Sequence, residues 1–186
     1  GIDLEYAVIC VSPDPPIPAK TAVMLQEEIE KRTGIRLLID DAMPLDRETA
    51  IVISTKAGLA GLGLNPKVPS ELPAKADGYA LWVDTDSRPS PTVYLAGHDG
   101  RGALFAVGRL LRLLDMKPGR VSLAPGAYAA TAPEQTIRGH QLGYRNTANS
   151  YDNWGVAEYE QYFRDLIIFG SNCVELIDEP TDGHRE

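Results

Sequence analysis

The chain has 186 residues, 44% hydrophobic and 24% charged, with a formal net charge of −8. Such values fit a folded protein with room for one large domain, or for one domain and a further piece. Without a basic patch or an aromatic-interleaved Arg/Lys run, nucleic acid is not an expected partner, and no stretch approaches the roughly 18 uninterrupted apolar residues of a membrane span.

The acidity is concentrated late: from Glu134 onward ten acids stand against four bases. The first residues, Gly1-Ile-Asp-Leu-Glu5, lack an initiator Met, which fits removal of an export signal or tag, or a boundary chosen within a longer chain. The two cysteines, Cys10 and Cys173, each fall in an apolar run and are expected as buried, unpaired small hydrophobes.

In chain order, Glu5-Tyr-Ala-Val-Ile-Cys-Val11 reads as a strand that ends at a proline-rich turn. A helix follows from about Ala19 to Arg32, with Ala22, Leu25 and Ile29 at helical spacing, Val23 alongside, and Thr33-Gly34 as its stop. Ile35–Ile39 and Ala50–Ser54 are further strands, the second a continuous apolar run suited to a sheet covered on both faces. Residues 55–77 read as a surface excursion with one helical turn. Gly78–Asp84 and Pro91–Ala96 then form a hairpin across the turn-rich Thr85-Asp-Ser-Arg-Pro-Ser90.

Gly97-His-Asp-Gly-Arg-Gly102 opens the strongest helix, in which Ala103, Val107, Leu110, Leu111 and Leu114 make one apolar face widened by Leu104 and Leu113. This glycine-rich opening lacks P-loop and dinucleotide spacing, so a tight turn with a helix cap is the better account. Val121–Leu123 is a last short strand, and Ala124–Pro133 reads as a joint. The first 132 residues thus describe an α/β domain.

Beyond the joint, Thr136–Arg145 is a short strand running into a polar loop, Val156–Phe169 an amphipathic helix closed by Gly170, and Asn172–Ile177 a second strand. On the helix, Tyr159, Tyr162, Phe163 and Leu166 are expected in the core. This is one β-loop-α-β unit, the opening of a (β/α)8 barrel that would need about 250 residues in full.

Two blocks carry a family resemblance. Asp77-Gly-Tyr-Ala-Leu-Trp-Val83 with Thr92–Leu111 resembles the non-catalytic N-terminal domain of family 20 glycoside hydrolases (β-hexosaminidases), a domain shared with α-glucuronidases. Its topology is called zincin-like, although it holds no zinc. Ile137–Arg145, Asn149–Asp152 and Tyr162–Leu176 are similar to the first β/α/β unit of the barrel that follows it.

The resemblance implies an α/β fold: a mixed β-sheet with helices packed on it over residues 1–132, then the first β/α/β unit of an incomplete barrel over 133–186. It implies an accessory region of a glycosidase that hydrolyses O-glycosyl bonds of a glycan or polysaccharide, in a secreted or periplasmic bacterial setting. The 186 residues themselves would be catalytically silent, with self-association open. A stand-alone carbohydrate-binding or protein-interaction module is the alternative.

Site residues follow from the same comparison. Arg138 corresponds to an arginine that binds sugar hydroxyls in the family 20 enzymes, and a guanidinium suits vicinal hydroxyls or a uronate. A second role for it, pairing with an acid at the foot of the barrel, stays open. Because barrel sites gather at the C-terminal ends of strands, Gln141, Tyr144, Arg145 and Glu175 are further candidates, with Asp178 and Glu179 nearby.

Asn149 and Asp152 in the intervening loop offer hydroxyl-reading side chains, and Tyr151 and Trp154 offer rings for stacking. Asp152 or Asn153 would serve equally as helix caps. Glycosidases need two spaced carboxyl groups, but in the families resembled these come from later strands, so no catalytic residue is assigned. His98, His140 and His184 fit no zinc spacing, and Asp178–His184 no EF-hand, so neither metal nor cofactor is expected.

Overall fold

A computed structural model describes residues 1–12, 17–62, 66, 72–142 and 153–176. The chain forms two compact units, Gly1–Glu134 and Gln135–Glu186.

The first unit is built on a six-stranded mixed sheet in the order β3 (Leu38–Asp40), β2 (Val8–Val11), β4 (Ala50–Thr55), β6 (Thr92–Gly97), β5 (Tyr79–Asp84), β9 (Tyr128–Thr131). The first four run parallel, whereas β5 is antiparallel to both β6 and β9. Every residue of β4 and β6 is buried, as a strand covered on both faces requires.

Side chains alternate across the sheet. Cys10, Val52, Trp82 and Tyr94 meet Leu59 of α2 (Lys56–Gly61) on one face, where the Trp82 and Tyr94 rings stack with centroids 4.9 Å apart. The residues between them, such as Ile9, Ile51, Leu81 and Leu95, point to the opposite face. There α1 (Thr21–Thr33) and α3 (Gly100–Leu113) pack side by side. Each fully buried aliphatic side chain contributes about 1.5–3 kcal/mol, so this two-sided core accounts for most of the unit's cohesion.

Helix α1 ends where the glycine stop was expected. Gly34 takes φ +77 and its N–H returns to the Glu30 carbonyl at 2.8 Å. Its inward face carries more than an apolar stripe. Gln26 donates to the Leu37 carbonyl at 2.6 Å, and buried Glu28 pairs with Arg32 one turn on, whereas Val23 is exposed.

The start of α3 is fixed by close backbone approach. A Cβ on Gly97 would run into the backbone of Ala103, and one on Gly102 into the carbonyl of Gly78. Asp99 caps the helix, accepting from Gly102 N–H at 2.7 Å and, through its other oxygen, from Asp77 N–H at 3.0 Å. Asp77 is buried at φ +62 and pairs with Arg101 at 2.8 Å. The helix opening is therefore occupied by the chain's own carboxylate.

Three short strands, β1 (Ile2–Asp3), β7 (Asp115–Lys117) and β9, were not expected from the sequence. The expected strand Val121–Leu123 lies in β8 (Arg120–Leu123), which joins β1 and β7 in a separate antiparallel sheet of order β1-β8-β7 against α1. The stretch read as a joint contains β9, which extends the main sheet beside β5.

The second unit contains β10 (Gly139–Leu142), α4 (Val156–Ile168) and β11 (Cys173–Leu176), with the two strands parallel and adjacent. Cys173, expected in a core, is exposed. Cys10 is fully buried, and burial together with the charges of Asp40 and Asp41 pushes its thiol up to about 11. Because the thiolate is the reactive form, the native chain at pH 8 is expected to label rapidly with a thiol reagent at Cys173 alone, and at both cysteines after unfolding. Two fast-reacting thiols in the native state would contradict this packing. Gly102→Ala is expected to lower stability by about 3 kcal/mol, measured as a shift of the urea midpoint.

Candidate functional site

The second unit gathers the candidate residues that lie within the described structure. β10 and β11 pair in the register Gly139↔Cys173, His140↔Val174, Gln141↔Glu175 and Leu142↔Leu176. Strand alternation puts Gly139, Gln141, Cys173 and Glu175 on one face and His140, Leu142, Val174 and Leu176 on the other. The second is the helix face, because His140 Nδ1 hydrogen-bonds the Tyr162 hydroxyl of α4. Partial burial holds the Tyr162 phenol above its ordinary range.

On the open face, Gln141 Nε2 donates to a Glu175 carboxylate oxygen at 2.8 Å, and both side chains are exposed. Orienting Glu175 in this way leaves its second oxygen and the Gln141 amide oxygen directed as hydrogen-bond acceptors. Such a pair suits hydroxyl donors. Gly139 keeps the strands close, since a Cβ there would sit 2.6 Å from the Cys173 carbonyl oxygen.

Arg138 lies at the other end of the strands. Its Nε donates to the Gly170 carbonyl at 2.9 Å and its Nη1 to the Gln135 carbonyl at 2.8 Å. Both carbonyls lie outside α4, so Arg138 ties the turn after the helix to the segment before β10. Asn172 completes the arrangement: it accepts from Arg138 N–H at 3.0 Å, donates to the Thr136 carbonyl at 2.8 Å, and its own N–H meets the Arg138 carbonyl at 2.7 Å. Gly170, at φ +92, turns the chain from α4 into this network.

The reading of Asn172 as a plain strand residue missed this role, and nothing in the local periodicity marks it. Tyr144, Arg145, Asn149 and Asp152 lie outside the described residues, as do Tyr151, Asp178 and Glu179.

Two expectations for α4 are corrected. Its start is capped at Gly155, whose N–H is accepted by Glu158 at 2.9 Å, instead of by Asn153. Tyr159, Tyr162, Phe163 and Leu166 are half-buried and not in a closed core; Ile168 is the one buried residue among those described in α4. Trp154, offered as a stacking platform, instead meets Tyr159 edge-on at 5.4 Å and Tyr162 at the same distance.

No protein-family model and no curated protein matches the sequence. Solved structures do match by shape. One is a family 115 4-O-methyl-α-glucuronidase described as specific for decorated arabinogalactans, with TM-score 0.67 and 15% identity over 92% of this chain and 24% of that one. Another is a family 20 exo-β-N-acetylglucosaminidase of Vibrio harveyi, with TM-score 0.60 and 15% identity over 92% of this chain and 22% of its own. A third, the family 20 β-N-acetylhexosaminidase of Streptomyces coelicolor A3(2), gives TM-score 0.57 and 18% identity over 92% and 30%.

The chain has a fold found within glycoside hydrolases. It spans about a quarter of the length of these enzymes. Among the described residues no helix is long and apolar enough to cross a membrane.

Asn172→Ala removes two side-chain hydrogen bonds at the foot of the strand pair. It is expected to cost the second unit about 1–2 kcal/mol, read as faster hydrogen exchange at the amides of β10 and β11 with the first unit unchanged.

Proposed function

We propose that the chain is the accessory α/β domain and first β/α/β unit of a glycoside hydrolase, and that the rest of a (β/α)8 barrel supplies the catalytic carboxyl groups. The observation that supports this most is the in-register parallel pair β10/β11 joined through α4, following in sequence a mixed-sheet domain, with a likeness to glycosidase structures that covers nine-tenths of the chain. The half-buried aromatic face of α4 also fits a helix that further barrel elements cover, and weighs against a self-sufficient binding module.

In this reading the substrate is a glycan or polysaccharide outside the cytoplasm. Gln141 and Glu175 face the barrel interior near the C-terminal strand ends and accept hydrogen bonds from sugar hydroxyls. Tyr144, Arg145, Asn149 and Asp152 are proposed as further sugar contacts. Arg138 holds the foot of the unit, and its contribution to sugar binding is indirect.

The reading has two tests. The 186-residue chain, assayed on a panel of aryl glycosides, is expected to show no turnover; turnover abolished by Glu175→Gln would place catalysis within these residues and overturn the assignment. In the longer enzyme, Glu175→Gln is expected to raise KM about tenfold with kcat within about threefold, as loss of one charged hydrogen bond to the sugar predicts. An unchanged KM would remove Glu175 from the site.

A further inference from the structure

β3 is the outermost strand of the main sheet and pairs with β2 alone. Soluble proteins guard such edges because the unpaired backbone is a template for another strand. Here the edge carries apolar side chains: Leu38 is 71% exposed and Ile39 38%. Its charges are placed symmetrically. Leu38 and Asp40 share one face by their register with Val8 and Cys10, and Arg36, two residues before Leu38 and just ahead of β3, is exposed and continues that spacing.

We propose that this edge is the contact surface for a second copy of the chain, with the two β3 strands antiparallel about a two-fold axis at Leu38. A two-fold contact must be self-complementary, and this segment is. Leu38 packs on Leu38 of the second copy, Arg36 faces the other copy's Asp40, and the same ion pair repeats across the axis. Parallel pairing would set like charges opposite each other, and a slip of one residue would turn the apolar contact to the wrong face.

The groups are ready for this role. The Ala42 N–H, 3.0 Å from Asp40, holds that carboxyl below its usual range, so it remains charged. Arg36 has an ion pair with Glu30 in its own chain, but both side chains are solvent-accessible; such surface pairs are weak and readily shared. The Leu37 carbonyl accepts from Gln26 and keeps a second lone pair for the inter-copy ladder. The inference concerns the first unit and does not depend on the barrel reading.

Sedimentation equilibrium of the 186-residue chain across a concentration series tests it. A reversible dimer is expected, weakening as salt is raised. Arg36→Asp and Asp40→Arg should each weaken dimerisation by about tenfold or more, since two attractive cross-strand pairs become repulsive.

The equimolar mixture of the two variants should recover the dimer, because the new carboxylate of one then faces the new guanidinium of the other. Circular dichroism checks that each variant is folded. If either single variant fails to fold, the double variant Arg36→Asp/Asp40→Arg decides, with parent-like dimerisation expected. A chain that stays monomeric at every concentration, a dimer indifferent to Arg36→Asp, or a mixture of folded variants that stays monomeric would each overturn the proposal.

Discussion

Three backbones meet at Gly78, Gly97 and Gly102, and the architecture of the first unit depends on how closely they do so. The contact sets the end of β6 against the start of α3 while the start of β5 passes beside both, with His98 N–H on the Gly78 carbonyl at 2.8 Å. From this junction α3 is aimed along the sheet, and α1 packs against α3. The small β1-β8-β7 sheet then rests on α1. The Arg101–Asp77 ion pair at the same place is half open to solvent and adds little by itself. The junction is held by steric closeness that only residues without a Cβ allow.

Elements with a strong local signal were legible in the sequence. Val8–Val11, Ala50–Thr55 and the β5/β6 hairpin are dense in β-branched or aromatic residues, and the apolar stripe of α3 runs the length of the helix. The strands that escaped are two to four residues long, and two of the three have partners distant in sequence. Ile2–Asp3 pairs with Ser122 and Leu123, and Tyr128–Thr131 with Tyr79–Trp82. Asp115-Met-Lys117 pairs with β8 across a two-residue turn, but three residues are too few for their alternation to mark a strand. Such strands exist because a neighbour offers an edge, so no window of their own sequence contains the cause. Cys173 failed for a related reason: an apolar run marks a strand but not the face on which any one residue falls.

The candidate site was legible to a similar depth. The rule that barrel chemistry gathers at strand ends selects Gln141 and Glu175, and the register that makes them neighbours follows from the parallel pairing. Arg138 carries the chemistry of a sugar ligand in its side chain and the duties of a structural cation in its position. Residue type alone cannot separate the two. The carbonyl its Nε holds, that of Gly170, is thirty-two residues away and leaves no local signal. Asn172 was invisible for the same reason, because its amide works on Thr136 and Arg138 across the strand gap.

A two-stranded parallel pair is the least self-sufficient of sheets: its ladder is short, and parallel strands ordinarily have both faces covered. In the second unit α4 lies against one face and covers it in part: Leu142 and Ile168 are the buried apolar residues among those described, while His140 and Leu176 stay exposed. The other face is Gly139, Gln141, Cys173 and Glu175, small or polar and exposed. A hydrophobic layer cannot be the natural neighbour of that surface, since it would bury an amide and a carboxylate against groups unable to satisfy them. A polar, hydrated interior with hydrogen-bonding occupants can be. The carboxylate–amide pair on the open face is therefore costly as a packing surface and well suited as a lining, which is the physical argument behind the sugar-facing role proposed for it.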